Sequence, residues 1–153
     1  MYKKILVPLD GSELAECVLP HVKEITEQGR LGEITLLNVY RLEIAPELAS
    51  HELDEFRRRL QAISARYLEG VRARLAKEGI QVKTISLGAD RPARAIIDYA
   101  SENGIELIVL ANRGYTGLKK LMLGSIALKL LHGSHVPVLL VRAECHDGQV
   151  PNP

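Results

Sequence analysis

The sequence predicts one α/β domain built on a doubly wound parallel sheet, and three observations carry the prediction. Runs of branched aliphatic residues alternate with amphipathic segments along the whole chain. Most of those runs are apolar on consecutive positions, as in strands covered by helices on both faces. The length of 153 residues suits a single domain with a substantial core.

The strand runs, rich in β-formers, are Lys4 to Leu9, Glu33 to Val39, Gln81 to Leu87, Glu106 to Ala111 and Val138 to Arg142. The third carries Gln81, Lys83, Thr84 and Ser86, the pattern of a sheet edge. After the first strand, Ser12 is placed to cap a helix and Glu13 suits its positive end. Leu14, Val18, Val22 and Ile25 form the helix's apolar stripe, Pro20 is expected to kink it, and Gly29 to stop it. From about His51 to Lys77, Leu53, Phe56, Leu60, Ile63, Tyr67, Val71 and Leu75 recur at spacings of three and four. That spacing predicts a long amphipathic helix, closed by Gly79. A third helix starts near Pro92, packs Ile96, Ile97 and Ala100 and ends at Gly104; a fourth runs from about Ser125 to His132.

Five strands with helical crossovers between them, wound in the flavodoxin-like way, give the order 3-2-1-4-5 with the first strand central. The order reverses between strands one and four, so the loops after them separate and open a crevice at the carboxyl ends of the strands. The domain is expected to span residues 1–143, with 144–153 as a flexible tail.

Composition narrows the function. A net charge of +1 and few aromatics argue against a nucleic-acid partner, which would need a basic face and stacking rings. No apolar run approaches the ~20 residues of a membrane span. Asp10 and Glu13 interrupt any signal-peptide core, and Cys17 and Cys145 suggest neither a disulfide framework nor a zinc cluster, so a cytoplasmic location is expected. His132 and His135 straddle a turn with no obvious third ligand, and no metal site is expected.

Both loops facing the predicted crevice carry suggestive residues. The first is Pro8-Leu9-Asp10-Gly11-Ser12. The second runs from Ala111 through Gly114 and Gly117 to Gly124-Ser125, which opens a helix. Glycines let a main chain approach phosphates closely, and a helix N-terminus favours an anion, so the pattern suggests a polyphosphate; turn glycines are the competing reading. Arg113, Lys119 and Lys120 add positive charge nearby. The chain has neither G-x-x-x-x-G-K-[ST] nor G-x-G-x-x-G after its first strand, which argues against a P-loop NTPase and an ordinary dinucleotide binder. Asp10 has two readings, helix cap or ligand contact.

From Lys4-Ile5-Leu6-Val7-Pro8-Leu9-Asp10-Gly11-Ser12-Glu13 to Val136-Pro137-Val138-Leu139-Leu140-Val141-Arg142 the chain resembles the universal stress protein family. The nucleotide-binding members of that family carry G-x-x-G-x9-G-[ST]. Gly114, nine residues and then Gly124-Ser125 reproduce its second half, whereas Ala111 stands in place of its first glycine. The resemblance implies an adenine-nucleotide-hydrolase-like fold and an ATP site, with Mg2+ held by the phosphates. It places Asp10 on the ribose or adenine, Pro8, Leu9 and Val39 around the base, and Leu110 and Ala111 closing the pocket. It places Gly114, Gly124, Ser125, Ile126 and Ala127 on the phosphates.

The family also pairs protomers through the last strand, and the residues offer their own reason. Val138 to Val141, if at an edge, is an uncharged apolar strand that a second copy can cover. The crevice shows no complete set of base, metal anchor and charge-stabilising group for ATP hydrolysis. The expectation is therefore an ATP-responsive dimeric stress regulator with an unidentified downstream protein partner. A nucleotide-free scaffold and a slow ATP-hydrolysing enzyme stand as the alternatives.

Overall fold

The computed structural model describes residues 1–27, 30, 32–42, 49–112 and 123–142. Five runs form strands within one residue of their expected ends: β1 (Lys4–Pro8), β2 (Glu33–Tyr40), β3 (Val82–Gly88), β4 (Leu107–Asn112) and β5 (Val138–Arg142). They make one parallel sheet in the predicted order β3-β2-β1-β4-β5. β3 and β5 are the edges. Side chains alternate across a strand, so both faces need apolar cover. Ile5, Val7, Ile34, Leu36, Leu107 and Val109 pack beneath α1 (Glu13–Glu16), α2 (Leu19–Ile25) and α3 (Ser50–Lys77). Leu6, Leu37, Ile108 and Leu110 pack beneath α4 (Pro92–Glu102) and α5 (Ser125–Gly133). The change of helical face coincides with the reversal of strand order between β3 and β4.

The single kinked helix expected after β1 is instead two helices. Ser12 caps α1 as expected, its Oγ accepting from the Ala15 N–H at 3.1 Å. α1 ends after four residues, and Pro20 falls in the first turn of α2. There its missing N–H has no helical partner to lose, so the proline starts a helix rather than bending one. Val18 and Val22 are buried, and the stop expected at Gly29 lies outside the described residues.

α3 departs from expectation in its first half. Ser64, Leu68, Val71 and Leu75 are buried against the sheet, but Phe56 and Ile63 are 42% and 66% exposed. The cause is length: 28 helical residues extend about 42 Å, whereas the eight residues of β2 reach only about 26 Å. The helix outruns the sheet, and its first half contains no buried residue. Its end follows the pattern expected at Gly79, which takes φ +81° while Ile80 N–H donates to Leu75 O and Gly79 N–H to Ala76 O. None of the described helices is long and apolar enough to cross a membrane.

Candidate functional site

β1 and β4 are neighbours whose next described helices, α1 and α5, lie on opposite faces of the sheet, and a cavity of about 420 Å³ opens at their carboxyl ends. Pro8, Leu9, Asp10, Val39, Leu110, Ala111, Gly124, Ser125, Ile126 and Ala127 all line it. Of the residues singled out in the sequence, Gly114 lies outside the described residues, as do Arg113, Gly117, Lys119 and Lys120. The volume is in the range of small-ligand sites.

Gly11, at φ +90°, turns the chain sharply between Asp10 and Ser12. The turn is closed by Asp10 Oδ1, which accepts from the Ser12 N–H at 2.9 Å and from the Ser12 hydroxyl at 2.6 Å. Ser12 rather than Asp10 thus caps α1, and Asp10 braces the cap while lining the cavity. Of the two sequence readings of Asp10, the helix cap falls to Ser12 instead, and Asp10 supports that cap from the cavity wall.

Across the cavity stands the start of α5. No described side chain caps it, and its Gly124 N–H reaches Asn112 Oδ1 at 3.4 Å, joining the end of β4 to the helix. The N–H groups of the first helical turn have no acceptors within the helix and carry its positive dipole end, which suits an anion. Ala111 sits inside β4, and Glu27 is the one described non-glycine residue with positive φ. The methyl group in place of the motif's first glycine therefore adds no left-handed strain.

Seven further lining residues come from outside the expected set: Ser12, Leu14, Ala15, Leu37, Arg41, Pro92 and Ile96. Arg41 follows β2 by one residue, so its position past the carboxyl end of a central strand was the available signal. Pro92 and Ile96 reach the cavity because α4 crosses the sheet there, a tertiary fact with no local signature. Among the described lining residues, Asp10 is the one carboxylate and Arg41 the one cation.

Behind the Asp10 turn, α1 is fastened to α3. Tyr67 OH donates to Glu16 Oε1 at 3.1 Å, and Arg74 pairs with Glu16 Oε2. Burial, with the Glu16 charge and hydrogen bond adding to it, holds the Tyr67 phenol well above the usual tyrosine range. The unfolded chain ionises at about pH 10 while folded Tyr67 keeps its proton, so this residue's contribution to stability is lost as pH rises above that point. Urea midpoints should therefore fall less steeply between about pH 8 and about pH 11 in Tyr67→Phe than in the wild type. Equal slopes would remove Tyr67 from the alkaline response.

A family model described as the universal stress protein family matches residues 1–142. The universal stress protein YxiE of Bacillus subtilis is 32% identical, over 93% of this chain and 100% of its own length. MJ0577 of Methanocaldococcus jannaschii is 30% identical, over 93% of this chain and 96% of its own length. The solved structure of MJ0577 superposes with a TM-score of 0.76 at 33% identity, covering 94% of this chain and 98% of that one. A universal stress protein from Arabidopsis thaliana, solved with AMP bound, shares the fold at a TM-score of 0.64 and 15% identity, covering 94% and 93%.

Proposed function

The chain belongs to the universal stress protein family, and from that premise we propose that it binds ATP in the β1/β4 cavity and acts as a nucleotide-dependent, dimeric regulator in the cytoplasm. The observation that carries the reading is the opposition of two walls. On one side stand the braced Asp10 turn and the apolar Pro8, Leu9 and Val39; on the other, the start of α5 without a side-chain cap. An adenine nucleotide has the matching polarity, with a flat base and hydroxylated sugar at one end and anionic phosphates at the other.

In this reading Pro8, Leu9 and Val39 border the base, Asp10 accepts from a ribose hydroxyl or the adenine, and Leu110 and Ala111 close the pocket. The main-chain N–H groups of Ser125, Ile126 and Ala127, with the Ser125 hydroxyl and the backbone at Gly114 and Gly124, receive the phosphates. Any Mg2+ is held by the phosphates. Turnover is slow or nil in this reading, because among the described lining residues one carboxylate already braced to Ser12 does not make a base, a metal anchor and a γ-phosphate charge clamp.

Regulation needs a state that the nucleotide prefers. β5 is an edge strand, and Leu139 on it, with Leu128 and Leu131 of α5, is exposed. A second copy pairing antiparallel along Val138 to Val141 covers that edge. Nucleotide held at the start of α5 lies on the same helix, so binding and pairing are linked through it.

Protein purified without added nucleotide, denatured and chromatographed, is expected to release nearly one equivalent of adenine nucleotide. ATP among the products supports the reading, and accumulation of ADP in the native protein would instead indicate an enzyme. Failure to take up added ATP, ADP or AMP would leave a nucleotide-free scaffold.

A further inference from the structure

A buried chain of polar side chains runs beneath the nucleoside end of the cavity and has no part in the reading above. Asn38 and Ser64 are 8% and 4% exposed, among hydrophobic neighbours. Asn38 Nδ2 donates to the Leu9 carbonyl at 2.7 Å. Ser64 Oγ lies 2.6 Å from Asn38 Oδ1 and 2.9 Å from Ser86 Oγ. A hydroxyl has one proton and the amide oxygen only accepts, so Ser64 donates to Asn38 and Ser86 donates to Ser64. The chain thus links β3, α3 and β2 to Leu9, the residue that follows β1.

We propose that Asn38 and Ser64 are positioning residues for nucleoside recognition, acting through the Leu9 carbonyl on Asp10. The reasoning is geometric, and it rests on the nucleotide reading. The Leu9 carbonyl and the Asp10 N–H belong to one planar peptide unit, so a hydrogen bond that holds the first sets the plane from which Asp10 departs. The Leu9 N–H is held on its other side by Leu37 O at 2.8 Å. Downstream, Asp10 is closed onto Ser12, and Glu16 is gripped by Tyr67 and Arg74. Ser64, Tyr67 and Arg74 are three and seven residues apart on α3, which places them along one helical face. The Asp10 turn is therefore anchored to α3 at both ends, once through Asn38 and once through Glu16. The start of α5, where the phosphates are received, touches none of these residues through the bonds described.

This asymmetry gives the test. In Asn38→Ala the Leu9 carbonyl loses its side-chain partner, and the affinity for adenosine should fall about tenfold, the scale of one hydrogen bond. The affinity for inorganic tripolyphosphate, measured by calorimetry on the same protein, should stay within about twofold. Ser64→Ala, which keeps Asn38 in place but frees its amide, should move adenosine binding in the same direction by less, and it supplies the answer should Asn38→Ala not fold. Unchanged adenosine affinity in a folded variant, or an equal loss for both ligands, would overturn the proposal. Hydrogen exchange separates this from failure of the nucleotide reading itself. If the wild type binds neither ligand, that reading falls, and amide exchange still decides the anchoring. Faster exchange confined to Asp10 to Glu16 in either variant supports it, and unchanged exchange there rejects it.

Discussion

Replacing Gly124 with aspartate is expected to weaken ATP binding by about 100-fold, or ~2.7 kcal/mol, without loss of fold stability. The opposite signs follow from one position. Gly124 has φ −58° and ψ 148°, values open to any residue, and a Cβ built there meets no atom of the described residues within 4 Å. It is also the N-cap of a helix that no described side chain caps. Aspartate is a favoured N-cap and complements the dipole, so the urea midpoint should hold or rise slightly. The same carboxylate would occupy the N–H groups offered to the phosphates and repel their charge. Calorimetry with ATP, set beside urea denaturation, reads both effects. A stabilised variant that binds ATP within about threefold of the wild type would mean that the phosphates are held elsewhere.

Gly32→Ala should cost about 3 kcal/mol of stability, a fall in Tm of roughly 6–12 °C in a domain of this size. Gly32 has φ +83°, and an added Cβ would sit 2.9 Å from Tyr2 O and 3.1 Å from Lys3 O. Both are main-chain atoms, so no side chain can swing aside. Lys3 O also accepts from the Glu33 N–H at 2.7 Å, next to the Lys4–Glu33 pair that opens the β1–β2 register. Relief of the clash therefore disturbs the start of the central strand pair. Gly79→Ala is the control, because Gly79 has φ +81° but open space around its Cβ. It should show only the left-handed penalty of about 1 kcal/mol. Equal losses in the two variants would assign the whole effect to backbone conformation and none to crowding.

Much of the site was legible because its wall residues sit at element ends with local signatures. Pro8 to Ser12 follow an apolar strand and carry a turn glycine and a cap; Gly124-Ser125 open an amphipathic helix. Arg41, Pro92 and Ile96 were not anticipated as wall residues, since their approach depends on where β2 ends relative to β1 and on how α4 crosses the sheet. Asn38 reads in sequence, like Thr35, as a polar residue within the run Glu33 to Val39, and only its partners Leu9 and Ser64 give it a task.

What the chain determined by itself is the five strands and their order, the helices between them apart from the division at Pro20, the helix start at Ser12, the stop at Gly79 and the doubly wound sheet. Each follows from patterns within a few residues: runs of consecutive branched aliphatics, a spacing of three and four, a cap, a left-handed glycine. What only the tertiary structure decided is which half of α3 is covered, whether Pro20 bends a helix or begins one, and which side chains meet behind Asp10. Those outcomes depend on how far the sheet extends and on contacts between residues far apart in sequence. Local spacing places a residue on a face of its own element, but not against a partner.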